Sequence, residues 1–370
     1  MPYTLLAGGY RSSIAALAFD PAAGTLTKVS DAHTPINPSW LEHAPAKNTF
    51  YAVSEDETNG TVFSAVVNDD GVQVTSERKT HGGPCHVHVN KDGSGIVVAN
   101  YVGGSVLHIP TNADGTLSTT SESPVLSLPF PYENSPKPNP ARQDAPHAHQ
   151  VLEGENGLLY VFDLGSDRIY HVIRQGESGL KVVDWNQCAP GFGPRHGVVS
   201  HDGKLLYVLG ELGHAVTAFD IPSTHDYHPV FAPVGIIPPS VPEGYSGSMD
   251  AAEITLHPND PRTLYVSNRL ELDASKANPT LPPIQERQVG DAVAVLRLKA
   301  NGKGVESVSF VRTNCDTIRA FQISADGKYA AVAGQQNELV EVYEIGGDKH
   351  DQWKLVAAAP VDRVTDFIWL

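Results

Sequence analysis

The chain has 370 residues, a net charge of −16 at pH 7, and abundant Gly (33) and Pro (28). That charge argues against nucleic acid or an anionic membrane as a partner, and an anionic substrate would need a locally basic pocket. The many turn formers, with no sustained 3.6-residue apolar period, favour short strands over helices. The length allows two ordinary domains or one large domain built from repeats.

The sequence gives no sign of export, a membrane span or a metal site. The first residues, MPYTLLAGGY, lack a charged region and carry too short an apolar run for a signal peptide. No apolar stretch approaches the roughly 20 residues of a membrane span. Cys85, Cys188 and Cys315 are far apart, and the pair His86 and His88 lacks an acidic or Cys partner. We therefore predict a cytoplasmic protein without metal or cofactor.

Short apolar runs recur along the chain as hairpins. Three N-terminal strands are predicted at Tyr3–Ala7, Ile14–Asp20 and Thr25–Ser30, and a single C-terminal strand at Thr365–Leu370. Between them, six hairpins share a central run followed by a polar turn and another run. The central runs are Thr49–Val53, Gly95–Ala99, Leu158–Phe162, Leu205–Leu209, Thr263–Ser267 and Lys328–Val332. The runs that follow are Thr61–Val66, Ser105–Ile109, Arg168–Ile173, Ala215–Phe219, Ala292–Leu298 and Leu339–Glu344.

The spacing of these hairpins predicts a propeller. Successive copies begin 46 to 65 residues apart, which fits four-stranded units arranged radially with insertions. Six whole units plus one split between the chain ends make seven, and joining the ends removes open sheet edges. We predict an all-β, seven-bladed β-propeller with four antiparallel strands per blade, in which residues 1–370 form one domain. The C-terminal strand would join the three N-terminal strands. The Pro-rich insertions Leu117–Pro146, Ile221–Ser248 and Leu270–Gly290 are predicted as long loops.

The unusual polar residues should collect on one face of the propeller. Strand direction alternates within a blade, so the starts of first strands and the turns after second strands share a face near the axis. Arg195 and Glu211, at the two ends of one hairpin, should therefore be neighbours. We expect a central pocket formed from this face, whose polar residues include Glu55, Cys85, His86, Asn100, Tyr101, His147, His149, Arg195, His196, Glu211, Asp250, Glu253, Arg269 and Arg319.

Four stretches carry a family resemblance: PCHVHVNKDGSGIVVANYVGGSV, RQDAPHAHQVL with FDLGSDRI, GFGPRHGVVSHDGKLLYVLGEL, and AAEITLHPNDPRTLYVSNR. Together they resemble the lactonase family of seven-bladed propellers, which includes 6-phosphogluconolactonases of this fold and the fungal carboxymuconate cyclases. The resemblance runs from Tyr3 to Trp369 and implies chemistry without a metal. In the cyclase branch the proposed site is a His, two Arg and a Glu in a basic cleft. Matched motif by motif, these fall on His149, Arg195, Glu211 and Arg269.

The chemistry of these residue types suits lactone hydrolysis. His149 could act as a base near neutral pH without a large pKa shift, or simply form the pocket wall. Arg195 and Arg269 keep their protons and suit a carboxylate, a phosphate or a developing oxyanion. Glu211 between two arginines should stay ionised and orient an Arg or a sugar hydroxyl, act as an alternative base, or only tie two blades together. Further substrate contacts are expected from His86, Asn100, Arg142, His147, His196, Glu253 and Arg319. For His147 and His196 a structural or wall-lining role is favoured, because each lies beside a better candidate.

Three functions remain open. The first is a metal-independent lactonase acting on a sugar-acid lactone resembling 6-phosphogluconolactone, phosphorylated or not. The second is a cycloisomerase that closes a carboxymuconate to its lactone. The third is a non-catalytic propeller that binds proteins, which the gathering of polar residues near the axis disfavours. PHAHQV and GPRHG look more like the lactonase branch. The expected partner is a small anionic lactone or sugar acid, and the expected state is a monomer.

Overall fold

Seven four-stranded antiparallel sheets form the blades of a propeller in the computed structural model, which describes residues 2–44, 49–68, 71–120, 122–155, 157–221, 228–271 and 289–370. The inner strands of successive blades contact one another in chain order, and the last blade meets the first. The predicted fold class and blade number are confirmed. In this described part of the chain the only helical segment is a 3₁₀ turn at Ser246–Ser248, and no helix has the length and hydropathy of a membrane span.

The strands of each blade are given from the innermost to the outermost. Blade 1 contains β28 (Val364–Trp369), β1 (Tyr3–Gly9), β2 (Ser13–Asp20) and β3 (Thr25–His33). Blade 2 contains β4 (Leu41–Ala44), β5 (Thr49–Ser54), β6 (Thr61–Asn68) and β7 (Gly71–Lys79). Blade 3 contains β8 (Pro84–Val89), β9 (Gly95–Asn100), β10 (Ser105–Pro110) and β11 (Leu126–Ser127). Blade 4 contains β12 (Ala148–Glu153), β13 (Leu159–Asp163), β14 (Arg168–Gln175) and β15 (Gly179–Gln187).

The remaining blades follow the same order. Blade 5 contains β16 (Pro194–Val199), β17 (Leu205–Gly210), β18 (Ala215–Asp220) and β19 (Phe231–Gly235). Blade 6 contains β20 (Asp250–His257), β21 (Asp260–Arg269), β22 (Ala292–Leu298) and β23 (Val305–Arg312). Blade 7 contains β24 (Ile318–Ile323), β25 (Tyr329–Gly334), β26 (Leu339–Gly346) and β27 (Gln352–Pro360).

Blade 1 is the split blade and closes the ring. β28 pairs with β1 in an antiparallel register that sets Leu5 opposite Trp369 and Ala7 opposite Phe367. Successive residues of β1 then face different neighbours, because side chains alternate along a strand. Leu5 packs in the cluster shared with blade 7, whereas Leu6 packs in the cluster shared with blade 2. Apolar side chains on both faces of the inner strands thus form the core between the blades.

Two of the predicted loops also contain the outer strand of their blade. The insertion Leu117–Pro146 includes β11, and Ile221–Ser248 includes β19. The prediction missed these strands because each is short and partly exposed, so no run of buried apolar residues marks it. The third insertion lies mostly outside the described residues, which stop at 271 and resume at 289.

Candidate active site

A cavity of about 270 Å³ opens at the axis, on the face where the first strands begin. Strand starts, the turns between strands and one long insertion all contribute to its wall. Four arginines dominate that wall, although the chain as a whole carries a net charge of −16. The lining residues are Tyr10, Glu55, Cys85, Tyr101, Arg142, His149, Arg195, Glu211, Asp250, Arg269 and Arg319.

Irregularities in the first strands place four of these side chains. The pairing register between first and second strand shifts at Cys85, His149, Arg195 and Arg319, each of which is skipped in the ladder of its blade. A bulged residue is released from the regular alternation of the strand, so its side chain can be re-aimed. The same irregularity at the start of four strands therefore turns four side chains into the cavity wall.

The turn before Arg195 is built from glycine and a buried aspartate. Gly191 and Gly193 have positive φ angles of 78° and 60°, a conformation that glycine adopts without a Cβ penalty. Their backbone N–H groups donate to the Asp167 carboxylate at 2.8 and 2.7 Å. Asp163 holds the start of blade 4 in a similar way, accepting from the His147 N–H at 2.6 Å. Asp163 is thus a turn-forming residue.

Glu211 is the centre of a buried ion cluster. Its carboxylate lies 2.7 Å from Arg195 Nε, 3.2 Å from Arg269 Nη2 and 2.5 Å from Arg142 Nη2. Burial alone would raise the pKa of Glu211, but the guanidiniums of Arg269, Arg195 and Arg142 outweigh it and lower the pKa to about 2. The expectation that Glu211 stays ionised is met, with a third arginine in addition to the two predicted. We call Arg142, Arg195, Glu211 and Arg269 the cavity cluster.

The arginines of this cluster are also fixed by the backbone. Arg195 Nη1 donates to the Ala252 carbonyl at 2.6 Å, and Arg269 Nη2 donates to the Ala251 carbonyl at 2.9 Å. Burial and the neighbouring Arg269 lower the pKa of Arg195 to about 10, so it remains charged at neutral pH. Arg142 comes from the long insertion before blade 4, and its side chain is 35% exposed. The cavity cluster thus combines two buried, rigid cations with one at the rim.

A second group of residues in the cavity wall comes from blades 7, 1 and 2. Arg319 lies over the Tyr10 ring, 4.9 Å from its centroid, and 3.8 Å from Glu55. Tyr10 Oη donates to Glu55 at 3.0 Å. Burial would lower the pKa of Arg319, but Tyr10 and Glu55 raise it further above its usual range. A neighbouring cavity of about 560 Å³ shares Tyr10, Glu55 and Tyr101 and is also lined by Asp56 and Glu57.

His149 lies in the cavity wall, but its basicity differs from the prediction. Burial, reinforced by the charge of Arg195, lowers the pKa of His149 well below 6.5. The expectation that it would act near neutral pH without a large shift is therefore wrong. The physical reason is that the first strands bring His149 into a dry wall beside several guanidiniums, where an additional positive charge is unfavourable.

Five of the predicted substrate contacts lie behind the cavity wall. His196 and Glu253 bond to each other at 2.9 Å, and the His86 ring packs against Trp40 in a tilted arrangement with a centroid distance of 4.4 Å. His147 and Asn100 also lie outside the wall. His147 stacks on Tyr101 at 4.5 Å, while Asn100 Nδ2 donates to Ser105 Oγ at 3.2 Å. The regular strand alternation explains His86 and His196, because each directly follows a bulged residue that faces the cavity.

The cavity wall also contains residues that the sequence did not single out as site residues. Four of them were expected on the axis face, although no role was predicted for their side chains: Glu55, Cys85, Tyr101 and Asp250. Their place in the repeat was therefore enough to predict that they lie near the cavity. Tyr10 had no such signal, because it follows β1 in the split blade and belongs to no repeated motif. Elsewhere, no three His, Cys, Asp or Glu side chains of the described residues converge as metal ligands.

Comparison with known proteins agrees with this architecture. The chain is 28% identical over 346 residues to a protein of Arthroderma benhamiae named "Probable 6-phosphogluconolactonase", covering 91% of this chain and 81% of that protein. It is 27% identical over 203 residues to a 6-phosphogluconolactonase of Serratia proteamaculans, which covers 54% of each. A periplasmic gluconolactonase of Pseudomonas aeruginosa superposes with a TM-score of 0.82 at 25% identity, over 100% of this chain and 99% of that one.

A family profile matches nearly the whole chain. Residues 4–369 match the family described as "Lactonase, 7-bladed beta-propeller". The resemblance found in the four sequence motifs is thereby confirmed, together with the predicted enzyme class. The chain belongs to the lactonase family of seven-bladed β-propellers.

Proposed function

We propose that this protein is a metal-independent lactonase that hydrolyses the lactone of an anionic sugar acid in the axial cavity. The observation that carries the proposal is the cavity wall, in which four arginines and His149 surround a space of about 270 Å³. At about 30 Å³ for each water, that space holds roughly nine waters, which suits a monosaccharide-sized ligand.

The charge of the wall supports an anionic ligand. Its four guanidiniums face the carboxyl groups of Glu55, Glu211 and Asp250. Burial and the charge of Glu211 raise the pKa of Asp250, which further limits the negative charge. The wall therefore keeps a net positive charge that can attract a phosphate or a carboxylate. Arginine suits both groups, because its planar fork donates two parallel hydrogen bonds.

The neighbouring acidic cavity supports the sugar part of the substrate. Glu55, Asp56 and Glu57 offer carboxylate oxygens, and Tyr10 and Tyr101 offer hydroxyls, all of which bond to sugar hydroxyl groups. A second anionic group would be repelled there. The two cavities together favour a ligand that is anionic at one end and rich in hydroxyl groups at the other.

The wall also contains the groups that ester hydrolysis requires. His149 bonds through Nδ1 to His196, which leaves Nε2 as the nitrogen for a water molecule in the cavity. Attack of that water on the lactone carbonyl requires a base for its proton and positive charge for the carbonyl oxygen. The guanidiniums of Arg195 and Arg269 can supply that charge, so the reaction needs no metal. Treatment with a chelator should accordingly leave activity unchanged, and loss of activity restored by one divalent metal would reject this part of the proposal.

A comparison of three substrates tests the proposal. The purified protein should open a phosphorylated or an unphosphorylated sugar lactone and leave 3-carboxymuconate unchanged. Closure of 3-carboxymuconate instead would establish the cycloisomerase, and inactivity on all three would favour a binding protein.

A variant should localise the activity to this cavity. His149→Ala should lower kcat about a hundredfold or more with KM nearly unchanged, as expected for loss of a general base. His171→Ala is the matched control, because His171 is buried in the same blade but bonds to Asn186 at 2.7 Å, away from the cavity wall. Wild-type kcat in His149→Ala would transfer the role of base to Glu211.

A further inference from the structure

A chain of hydrogen bonds leads from the cavity wall to a buried carboxyl group. His149 Nδ1 lies 3.1 Å from His196 Nε2, and His196 Nδ1 lies 2.9 and 3.0 Å from the two Glu253 oxygens. The three residues come from β12, β16 and β20, the first strands of three successive blades. Only His149 lines the cavity. We call these three residues the histidine chain.

The geometry couples the protonation of all three groups. In a neutral imidazole one nitrogen donates and the other accepts. An ionised Glu253 can only accept, so His196 must donate from Nδ1 and accept at Nε2. His149 must then donate from Nδ1, which leaves Nε2 with a free lone pair. When Glu253 is protonated, it donates to His196 Nδ1, and His196 donates from Nε2 to His149 Nδ1. His149 then carries its own proton on Nε2.

This coupling lets His149 accept a proton although its pKa is low, because the ring can pass another proton on at the same time. Arg195 Nη1 lies 3.1 and 3.3 Å from the two nitrogens of His196, and burial together with Arg195 lowers the pKa of both His149 and His196 well below 6.5. An imidazolium at either position is therefore unfavourable at neutral pH. Burial raises the pKa of Glu253 to about 7, so within this chain the carboxylate holds an added proton better than either ring.

We propose that Glu253 is the final acceptor of the proton removed from the attacking water, which it receives through His149 and His196. This inference rests on the proposed lactonase function. Glu253 and His196 are positioning residues, because they act through His149 without touching the substrate.

Every proton that moves is passed between the substrate and the three residues of the histidine chain. The water O–H bond breaks as its oxygen attacks the lactone carbonyl, and the proton binds to His149 Nε2. His149 passes its Nδ1 proton to His196 Nε2, and His196 passes its Nδ1 proton to Glu253. Each ring gains one proton and loses one, so neither becomes an imidazolium. When the C–O bond of the tetrahedral intermediate breaks, His149 Nε2–H protonates the leaving alkoxide. The same transfers then run in reverse, His196 to His149 and Glu253 to His196, so Glu253 is ionised again and the net reaction adds one water to the lactone.

The surrounding charges reinforce this direction of transfer. The guanidiniums of Arg195, Arg269 and Arg319 act on both rings and disfavour an imidazolium. Glu253 is approached by Arg195 from β16 and by the buried carboxyl group of Asp366 from β28, and it accepts the Ile254 N–H at 3.0 Å. In a serine protease triad the carboxylate stays ionised and the imidazole takes the proton. Here the order of basicity is reversed, because burial disfavours the charged form of all three groups and the cations beside the rings disfavour an imidazolium further.

The kinetic test uses the pH profile of kcat. In the wild type, kcat should rise with pH around a midpoint near 7, because only an ionised Glu253 can accept a proton. Glu253→Gln should lose this limb and lower kcat by about the same factor as His149→Ala. The double variant should be no slower than either single variant, since the residues act as one unit. Glu153→Gln is the matched control, because Glu153 is another buried carboxylate beside a histidine, 3.4 Å from His88, outside the cavity wall. It should keep both the rate and the pH limb.

A spectroscopic test does not depend on turnover. Long-range ¹H–¹⁵N spectra of histidine-labelled protein distinguish the two neutral tautomers and the imidazolium, and His149→Gln and His196→Gln assign the signals. Both rings should change from the Nε2–H to the Nδ1–H tautomer between pH 6 and pH 8 in the wild type and show no change in Glu253→Gln. A protein inactive on all lactones but showing this exchange would reject the proposed function and retain the chain. An imidazolium at His149, a pH-independent tautomer, or a persistent kinetic limb in Glu253→Gln would overturn the inference.

Discussion

The cavity cluster and the histidine chain each contain a buried glutamate, and the two carboxyl groups titrate in opposite directions. Glu211 has a pKa lowered to about 2, whereas Glu253 has a pKa raised to about 7. Both are almost fully removed from solvent, so burial alone does not distinguish them. The difference is the number of cations in contact. Glu211 lies within 3.2 Å of three guanidiniums, while Glu253 bonds to one imidazole and one backbone N–H.

This contrast shows how the propeller assigns separate tasks to the same side chain. A carboxylate surrounded by guanidiniums remains a fixed anion that keeps the arginines in position. A buried carboxyl group with few partners has a pKa raised towards 7, so it can exchange a proton at physiological pH. The two tasks are separated by the bulge at Arg195, which sends Arg195 to the cavity and the next residue, His196, to Glu253.

The largest expected effect is on stability, in the Glu211→Gln variant. Removing the anion leaves three guanidiniums facing one another in a buried cluster. Loss of one partner from a buried ion pair costs about 3–5 kcal/mol. We expect a decrease of that size in the free energy of unfolding, measured by urea titration at pH 7. Glu253→Gln should lose much less, and an equal loss in both variants would contradict the distinction between the two sites.

The contributions of Glu253 and Glu211 to the free energy of unfolding should change with pH in opposite directions. The folded pKa of Glu253 lies above its unfolded value of 4.5, so its contribution is full below pH 4.5 and is lost as the pH rises to 7. Relative to the wild type, Glu253→Gln should therefore become more stable across this window, by at most roughly 3 kcal/mol.

Glu211 provides the reverse case. Its folded pKa lies below 4.5, so its contribution is present above that pH and is lost as the pH falls towards 2. Urea midpoints measured across both windows test the two signs. A Glu253→Gln curve parallel to that of the wild type from pH 4.5 to pH 7 would show that folding does not raise the pKa of Glu253.

A smaller effect is expected in catalysis when the buried arginines are removed. Arg195→Ala and Arg269→Ala should each lower kcat/KM about ten- to a hundredfold, because a charge-assisted contact to an anionic substrate is worth about 1.5–3 kcal/mol. Lysine at either position should restore only part of this, since an ammonium cannot form two parallel bonds. Circular dichroism and thermal unfolding verify the fold. Wild-type kinetics in both alanine variants would place substrate binding elsewhere.

The smallest effect is expected for Arg142→Ala. Arg142 contacts Glu211 closely but is 35% exposed, and solvent screens its pairing with the substrate as well as with Glu211. A contribution of at most about 1 kcal/mol corresponds to a change in KM of roughly fivefold or less, with kcat unchanged. A loss as large as that of Arg269→Ala would indicate that the long insertion closes over the bound substrate.

The sequence by itself predicted the blade number, the closure through β28 and the face on which the polar residues collect. Periodic apolar runs and the split unit at the chain ends contain this information, because each blade must bury both of its faces. The hairpin from Gly191 to Glu211 also predicted the proximity of Arg195 and Glu211, which is observed at 2.7 Å. Such contacts are local, so the register of two adjacent strands is enough to specify them.

Only the tertiary structure decided which side chains reach the cavity and how they titrate. The bulges at Cys85, His149, Arg195 and Arg319 interrupt the regular alternation of the first strands, and no sequence pattern marks them. The histidine chain joins three blades whose linked residues are 47 and 57 positions apart. Its pKa values depend on burial and on guanidiniums contributed by blades 5, 6 and 7. Those influences act through space across the axis, so they become defined only when the ring has closed.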